Sequence, residues 1–295
     1  MSPSKQQLRQ HIKCPLCQSA SDRSYVLSHT SVFRCSAKSC ELQFAHPQLD
    51  DQALGRAYET YYYPTNGNNT HLLENSTEHT VQQLFRAIKP ASISLAGRRV
   101  LDYGCGTGTL LRAAANAGAQ AVGIEQSAAA RDTIAEAGFA EAFKELDDLL
   151  RKDPNIAFDV IFLSDVIEHL RRPWDELREV GKLLAPGGLV VLTTPNSESL
   201  RARLSGKDWD QRQNPTHFYY FTPATLTLVL REAGFQQVTP LKAISDYEHH
   251  GTLRRSLQHA LLRLGLQGGL LFVAGNYVAA RESYSPLAGI SRRIG

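Results

Sequence analysis

The chain has 295 residues, 42% hydrophobic and 21% charged, a composition that fits one large soluble globular domain with a smaller module and excludes fibrous or low-complexity architectures. Its formal net charge of +3 gives no field of the strength a dedicated nucleic-acid binder carries, which lowers that expectation without removing it. No apolar run is long enough to span a bilayer and the N-terminus MSPSKQQLRQHIKCPLC has no apolar signal region, so a cytoplasmic protein with reduced thiols is expected.

Four of the five cysteines fall early, as Cys14-Pro-Leu-Cys17 and Cys35-Ser-Ala-Lys-Ser-Cys40. A C-x-x-C turn aims two thiolates at one tetrahedral ion, and the second pair completes a structural zinc shell with no open position for a catalytic water. The second pair is wider than usual, so His29 and His46 stand as alternative ligands; a metal-free set of buried thiols is the competing reading. The polar stretch between the pairs is too short to build a core without a staple. Residues 1–48 are therefore expected to form a small zinc ribbon or knuckle. Residues 49–97 read as a linker and helical cover, with a Pro/Asn/Gly cluster inside.

From Arg98 apolar runs and helical stretches alternate. RVLDY, AVGIE, AFDVIFL and GLVVLTT read as strands, separated by LLRAAANAG, SAAARDTIAEAG and PWDELREVGKLLA. That order predicts an α/β domain over 98–282 with a parallel sheet whose ligands sit at the strands' carboxyl ends. Pro173 suits a helix start, Thr222 an N-cap with Pro223 at N1, and Ala185-Pro-Gly-Gly188 a helix stop. LLFVAGNYVAARE reads as the closing strand.

VLDYGCGTGTL places Gly104, Gly106 and Gly108 behind the acid Asp102. Such a turn brings backbone amides close to a ligand at a helix N-terminus. A dinucleotide fingerprint requires Gly or Ala where this chain has Thr109, and Asp102 would repel a pyrophosphate. A cationic ligand is attracted instead. S-adenosylmethionine carries a sulfonium and an ammonium and no phosphate, and Glu125, at the end of the second strand, suits its ribose hydroxyls.

VLDYGCGTG, VGIEQS, FDVIFLSDVIEHL, LLAPGGLVVLTTPN and HFYYFTPATLTLVLREAGF together resemble the successive motifs of class I S-adenosylmethionine-dependent methyltransferases. The likeness is to the bacterial branch of the ubiquinone-pathway O-methyltransferases, in members with an N-terminal Cys-rich zinc element. It implies a Rossmann-like sheet, mostly parallel with an antiparallel last strand. It also implies that Asp102, Gly104 and Gly106 surround the methionine part, that Glu125 takes the ribose and that Glu145 lies near the adenine. Gly108, Ser164 and Asp165 complete the cofactor set, with Cys105 a small residue beside it.

Methyl transfer is an in-line displacement, so alignment in a dry pocket supplies much of the catalysis. A hydroxyl acceptor must also lose a proton. His169, beside Glu168 in SDVIEHL, and His217 in NPTHFYYFTP are the candidate bases, with Glu168 orienting; each also has a local packing reading. The segment 197–222, with Trp209, Phe218, Tyr219 and Tyr220, suits a lid over a small-molecule or glycan acceptor, or an ordinary packed connection. Residues 246–267 read as a helical insertion whose basic amphipathic stretch 252–266 would contact a membrane surface or pack on its own domain. Residues 283–295 read as a tail. An RNA methyltransferase and a non-catalytic S-adenosylmethionine-binding protein remain as alternative functions.

Overall fold

The computed structural model describes residues 12–61, 81–88, 94–241 and 269–278. The expected insertion at 246–267, with its basic stretch 252–266, and the tail from 283 lie outside them.

The N-terminal element contains β1 (Ser21–Val26), β2 (Ser31–Cys35) and β3 (Gln43–His46), an antiparallel meander. Helix α1 (Asp51–Tyr61) and a second helix, α2 (81–88), follow. Leu84 and Ile88 of α2 are buried against Val100, Val160 and Phe162, so this helix covers one face of the main sheet.

The alternating domain runs β4 (Arg99–Tyr103), α3 (Thr109–Asn116), β5 (Gln120–Ile124), α4 (Ala128–Ala137), β6 (Glu141–Phe143), α5 (Leu146–Lys152), β7 (Phe158–Ser164), α6 (Pro173–Lys182) and β8 (Leu184–Pro195). It continues through α7 (Leu200–Ser205), α8 (Asp210–Gln213), β9 (Tyr219–Tyr220), α9 (Pro223–Ala233), β10 (Phe235–Leu241) and β11 (Gly269–Tyr277). The seven-stranded sheet has the order β10-β11-β8-β7-β4-β5-β6. Its ladders β4 to β8 are parallel, while β11 runs antiparallel to both neighbours. Phe158 and Val160–Leu163 of β7 are fully buried, as a central parallel strand covered on both faces requires. Among the described residues no helix is long and apolar enough to cross a membrane.

Helix starts follow local chemistry. Thr222 caps α9 by accepting from the Thr225 amide, with Pro223 at the first helical position. One expected boundary moves: α6 ends at Lys182, and Ala185–Gly188 lies inside β8. The helix is stopped by its pairing needs, since Phe158 N–H already bonds to Leu183 O and β8 pairs with β7 from Leu184.

The small sheet has the order β1-β2-β3-β9, and β9 belongs to the chain that follows β8. Gln43 pairs with Tyr220 and Phe44 with Tyr219, so the N-terminal element is completed by a strand from the large domain. The aromatic residues of 197–222 lie inside this junction. Trp209 and Tyr220 are buried with Leu27, Val32 and Ala45, and Phe218, Tyr219 and Phe221 with Leu42, Phe44 and the four cysteines.

Candidate functional site

The glycine loop sits between β4 and α3, at the carboxyl end of the central strands. Gly104 has φ of +81°, and a Cβ there would lie 2.4 Å from Val166 Cγ2, so only glycine allows the loop to approach the chain after β7 this closely. Gly108 caps α3 with φ of +85°, again a conformation that side chains resist. Gly104 and Cys105 amides bond to Ile124 O.

Glu125 stands where β5 ends. One carboxylate oxygen accepts from Gly106 N–H at 2.9 Å and the other from Ser127 N–H at 2.8 Å. Its side chain therefore ties the glycine loop to the cap of α4. Asp102 is 2% exposed, and burial, followed by the nearby Glu125 charge, pushes its carboxyl up to about 8. Two acids crowd one loop here, and a cation placed beside Asp102 restores its charge.

Cys105 points beneath the loop. A Cβ at Gly123 would lie 2.5 Å from its Sγ, and it is buried with Leu111 and Ile134; burial raises its thiol well above the usual range. Glu145 is the N-cap of α5, with a reciprocal capping box to Asp148, and its half-exposed side chain also pairs with Lys144. That cap fixes where the chain turns after β6.

At the end of β7, Ser164 Oγ lies 3.3 Å from Thr193 Oγ1. Asp165 follows with φ of +54°, a left-handed conformation that Asp adopts more readily than most side chains. Its amide is held by Thr193. A single helical turn, Ile167–His169, then places Glu168 and His169. Glu168 is 1% exposed; burial, followed by the Asp165 charge, raises its carboxyl well above the ordinary value. One of its oxygens accepts from Thr194 Oγ1 at 2.8 Å, and the other has no partner among the described residues.

His169 Nδ1 lies 3.0 Å from Thr216 O. A carbonyl can only accept, so the proton is on Nδ1 and Nε2 carries the lone pair. Burial lowers its pKa to about 4. His217 meets it edge-on, ring centroids 4.5 Å apart, and is itself held neutral by burial, with His169 adding to the effect. One ligand atom each from Glu168, His169 and His217 lies within 4.8 Å of the others, a spacing that a divalent cation also tolerates. The structure thus brings together all three residues expected to act on the acceptor.

The second set of potential ligands is the cysteine cluster. The four Sγ atoms lie within 4.8 Å of one another and are buried; Cys14–Cys40 and Cys17–Cys35 are 3.8 and 3.4 Å apart. Thiolates on a tetrahedral zinc, about 2.3 Å from the ion, are spaced in this range, so the donor set fits. His29 and His46 are not members of the cluster.

The wide second pair has a geometric cause. Gln18 N–H bonds to Cys14 O and Glu41 N–H bonds to Ala37 O. Both Gln18 and Glu41, each directly after a cysteine, have positive φ. The turns 14–18 and 37–41 are therefore repeats of one knuckle in which Ala37 takes the place of the first cysteine. Cys35, at the end of β2, supplies the missing thiol.

Several residues of the site were not singled out by the sequence. Val166 packs on Gly104, Thr193 and Thr194 hold Asp165 and Glu168, and Thr216 fixes the His169 tautomer. Thr216 adjoins His217, which is the one local signal for any of them.

A family model described as a methyltransferase domain matches residues 74–239. The ubiquinone biosynthesis O-methyltransferase of Methylococcus capsulatus is 33% identical over 173 residues, covering 55% of this chain and 73% of that protein. The protein of the same name from Cereibacter sphaeroides is 30% identical over 189 residues, 60% of this chain and 75% of that one. Among solved structures, an S-adenosylmethionine-dependent methyltransferase of Thermotoga maritima superposes with a TM-score of 0.50 at 16% identity, covering 75% of this chain and 98% of that chain; this likeness concerns the fold alone. The glycine loop, its two acids, the strand order with an antiparallel β11 and the matching relatives converge: the chain belongs to the class I S-adenosylmethionine-dependent methyltransferases.

Proposed function

We propose that the protein methylates a hydroxyl oxygen of a small molecule, with His169 as the base that takes the hydroxyl proton. The observation that carries this reading is the Nδ1 contact to Thr216 O, which presents the lone pair of His169 on Nε2, beside Glu168 and at the carboxyl end of β7. The relatives named as O-methyltransferases support a hydroxyl acceptor.

Bound S-adenosylmethionine supplies an electrophilic methyl on its sulfonium. Asp102 attracts the positive charge of its amino-acid part, the side-chain-free backbone at Gly104 and Gly106 allows close approach, and Glu125 reaches the ribose. Ser164 and Asp165 border the same site from β7. His169 is neutral above about pH 4, so its Nε2 lone pair is unprotonated throughout the physiological range. The Thr216 carbonyl, which favours the protonated ring against burial, steadies the imidazolium that results, and the His217 ring packs edge-on against it.

The four cysteines bind a structural zinc in the same reading, and reduced thiols suit a cytoplasmic setting. Transfer of radiolabelled methyl from S-adenosylmethionine into a fractionated cell extract tests the acceptor class. Label resistant to nuclease and protease and recovered as small molecules is expected. Label released by nuclease would point to RNA, and absence of label despite cofactor binding to a binding protein.

A further inference from the structure

The junction between the cysteine element and the segment after β8 contains chemistry that neither the glycine loop nor the histidine pair uses. A cavity of about 290 Å³ lies there, with Tyr25, Arg34 and Gln43 on one side and Ser197, Arg203 and Arg212 on the other. Arg212 is 2% exposed. Burial without a counter-ion disfavours its charge, and among the described residues no carboxylate pairs with it.

Its guanidinium is nevertheless held rigidly. Nη1 donates to Ala202 O at 3.2 Å and Gly206 O at 2.7 Å. The rings of Tyr25, Trp209 and Tyr220 lie 4.6, 4.9 and 5.9 Å from its central carbon, contacts that fix the plane and compensate part of the desolvation. Nε is buried without a partner among the described residues. A purely structural strut explains Nη1 and the rings. It leaves the Nε edge, the side of a guanidinium that grips two oxygens of one anion, without use.

Two further cations face the same cavity. Arg34 pairs with Glu41 at 2.7 Å, both half-exposed, and Arg203 is exposed with no ion pair to a described carboxylate. Glu198, also exposed, is the one acid in the lining, so cations outnumber it. We infer that this cavity binds a small molecule bearing an oxyanion, gripped by Arg212 and approached past Arg34 and Arg203. The inference is independent of which acceptor is methylated.

Calorimetric titration of the full-length protein with phenyl phosphate, benzoate and the uncharged phenol provides the test. Saturable binding of at least one anion is expected, with phenol failing to compete, and the stronger of the two anions tells a phosphate ester from a carboxylate. Arg212→Lys keeps the charge and loses the fork, so affinity should fall about tenfold or more. Should that variant not fold, Arg34→Gln/Arg203→Gln alters only exposed side chains and should weaken binding roughly two- to fivefold per arginine. Binding of S-adenosylmethionine is expected to be unchanged in the double variant. Lack of saturable anion binding by the wild type, or equal affinity in the double variant, overturns the inference.

Discussion

The two halves of the site are assembled in different ways. The proposed cofactor half comes mostly from one continuous stretch, 99–131, in which strand, loop, helix, strand and acid succeed one another and Glu125 accepts from Gly106 N–H, with Glu145, Ser164 and Asp165 at its margin. The proposed acceptor half draws on four separated stretches: the turn after β7, the threonines of β8, the chain from Trp209 to Tyr220, and the cysteine element that pairs with its end. Short-range order makes the first half self-supporting, whereas the second depends on contacts between residues far apart in sequence.

That contrast can be challenged at several points. The largest effect is expected from His169→Ala, which should lower kcat by about 10²–10⁴, the usual worth of a general base, with the dissociation constant of S-adenosylmethionine unchanged in calorimetry. An equal loss of cofactor binding would show that the halves are not separable. Next, Asp102→Ala should weaken S-adenosylmethionine roughly 10- to 150-fold, from the loss of a charged contact of about 1.5–3 kcal/mol, while the melting curve retains a single transition.

Loss of the proposed zinc would sharpen the contrast from the other side. Cys17→Ser, or treatment with a strong chelator, should destabilise the element by about 2 kcal/mol or more and lower the midpoint by roughly 4–8 °C. Hydrogen exchange should rise first in β3 and β9 and reach Thr216 and His217, with α3 and β5 spared. Exchange that rises evenly through both sheets would contradict the division.

A smaller, graded effect follows from Asp102. In the free protein its carboxyl is protonated below about pH 8, and a cationic ligand favours the ionised form, so binding releases a proton. Affinity for S-adenosylmethionine should therefore rise with pH up to about 8, by at most about tenfold per pH unit, and Asp102→Asn should flatten the profile. The smallest expected change is Tyr219→Phe. It removes the bond from Tyr219 Oη to Arg171 O, a loss of about 1 kcal/mol that should appear in stability and in the acceptor KM, and not in cofactor affinity.

The same division governs what was legible in the sequence. Apolar strands, the alternating glycines and the two acids encode the cofactor half locally, and the cysteine spacing encodes a cluster. The acceptor half showed its histidines, Glu168 and an aromatic segment of undecided role. Thr216 acts through a backbone carbonyl, a group every residue has, and Thr194 matters because β8 lies beside β7. The aromatic run Phe218 to Phe221 left lid and packed connection open; burial of all four residues follows from a two-residue strand pairing that no short motif announces. The Cys35–Cys40 spacing looked irregular because the repeated unit is the turn 37–41, with one ligand displaced to a strand end.

Phe218 gives the molecule a practical constraint. Its carbonyl accepts from Ala45 N–H and its own amide donates to Glu168 O, so the backbone of one residue joins the cysteine element to the turn of the proposed base. The element is therefore not a detachable tag. A chain shortened to begin at 94 would retain every proposed cofactor residue yet uncover β9 as a bare edge and the Trp209, Tyr219 and Tyr220 surfaces beside it, conditions that favour aggregation. Exchange of the element for another zinc knuckle would succeed only if the donor brought an edge strand matching Gln43 and Phe44 in register.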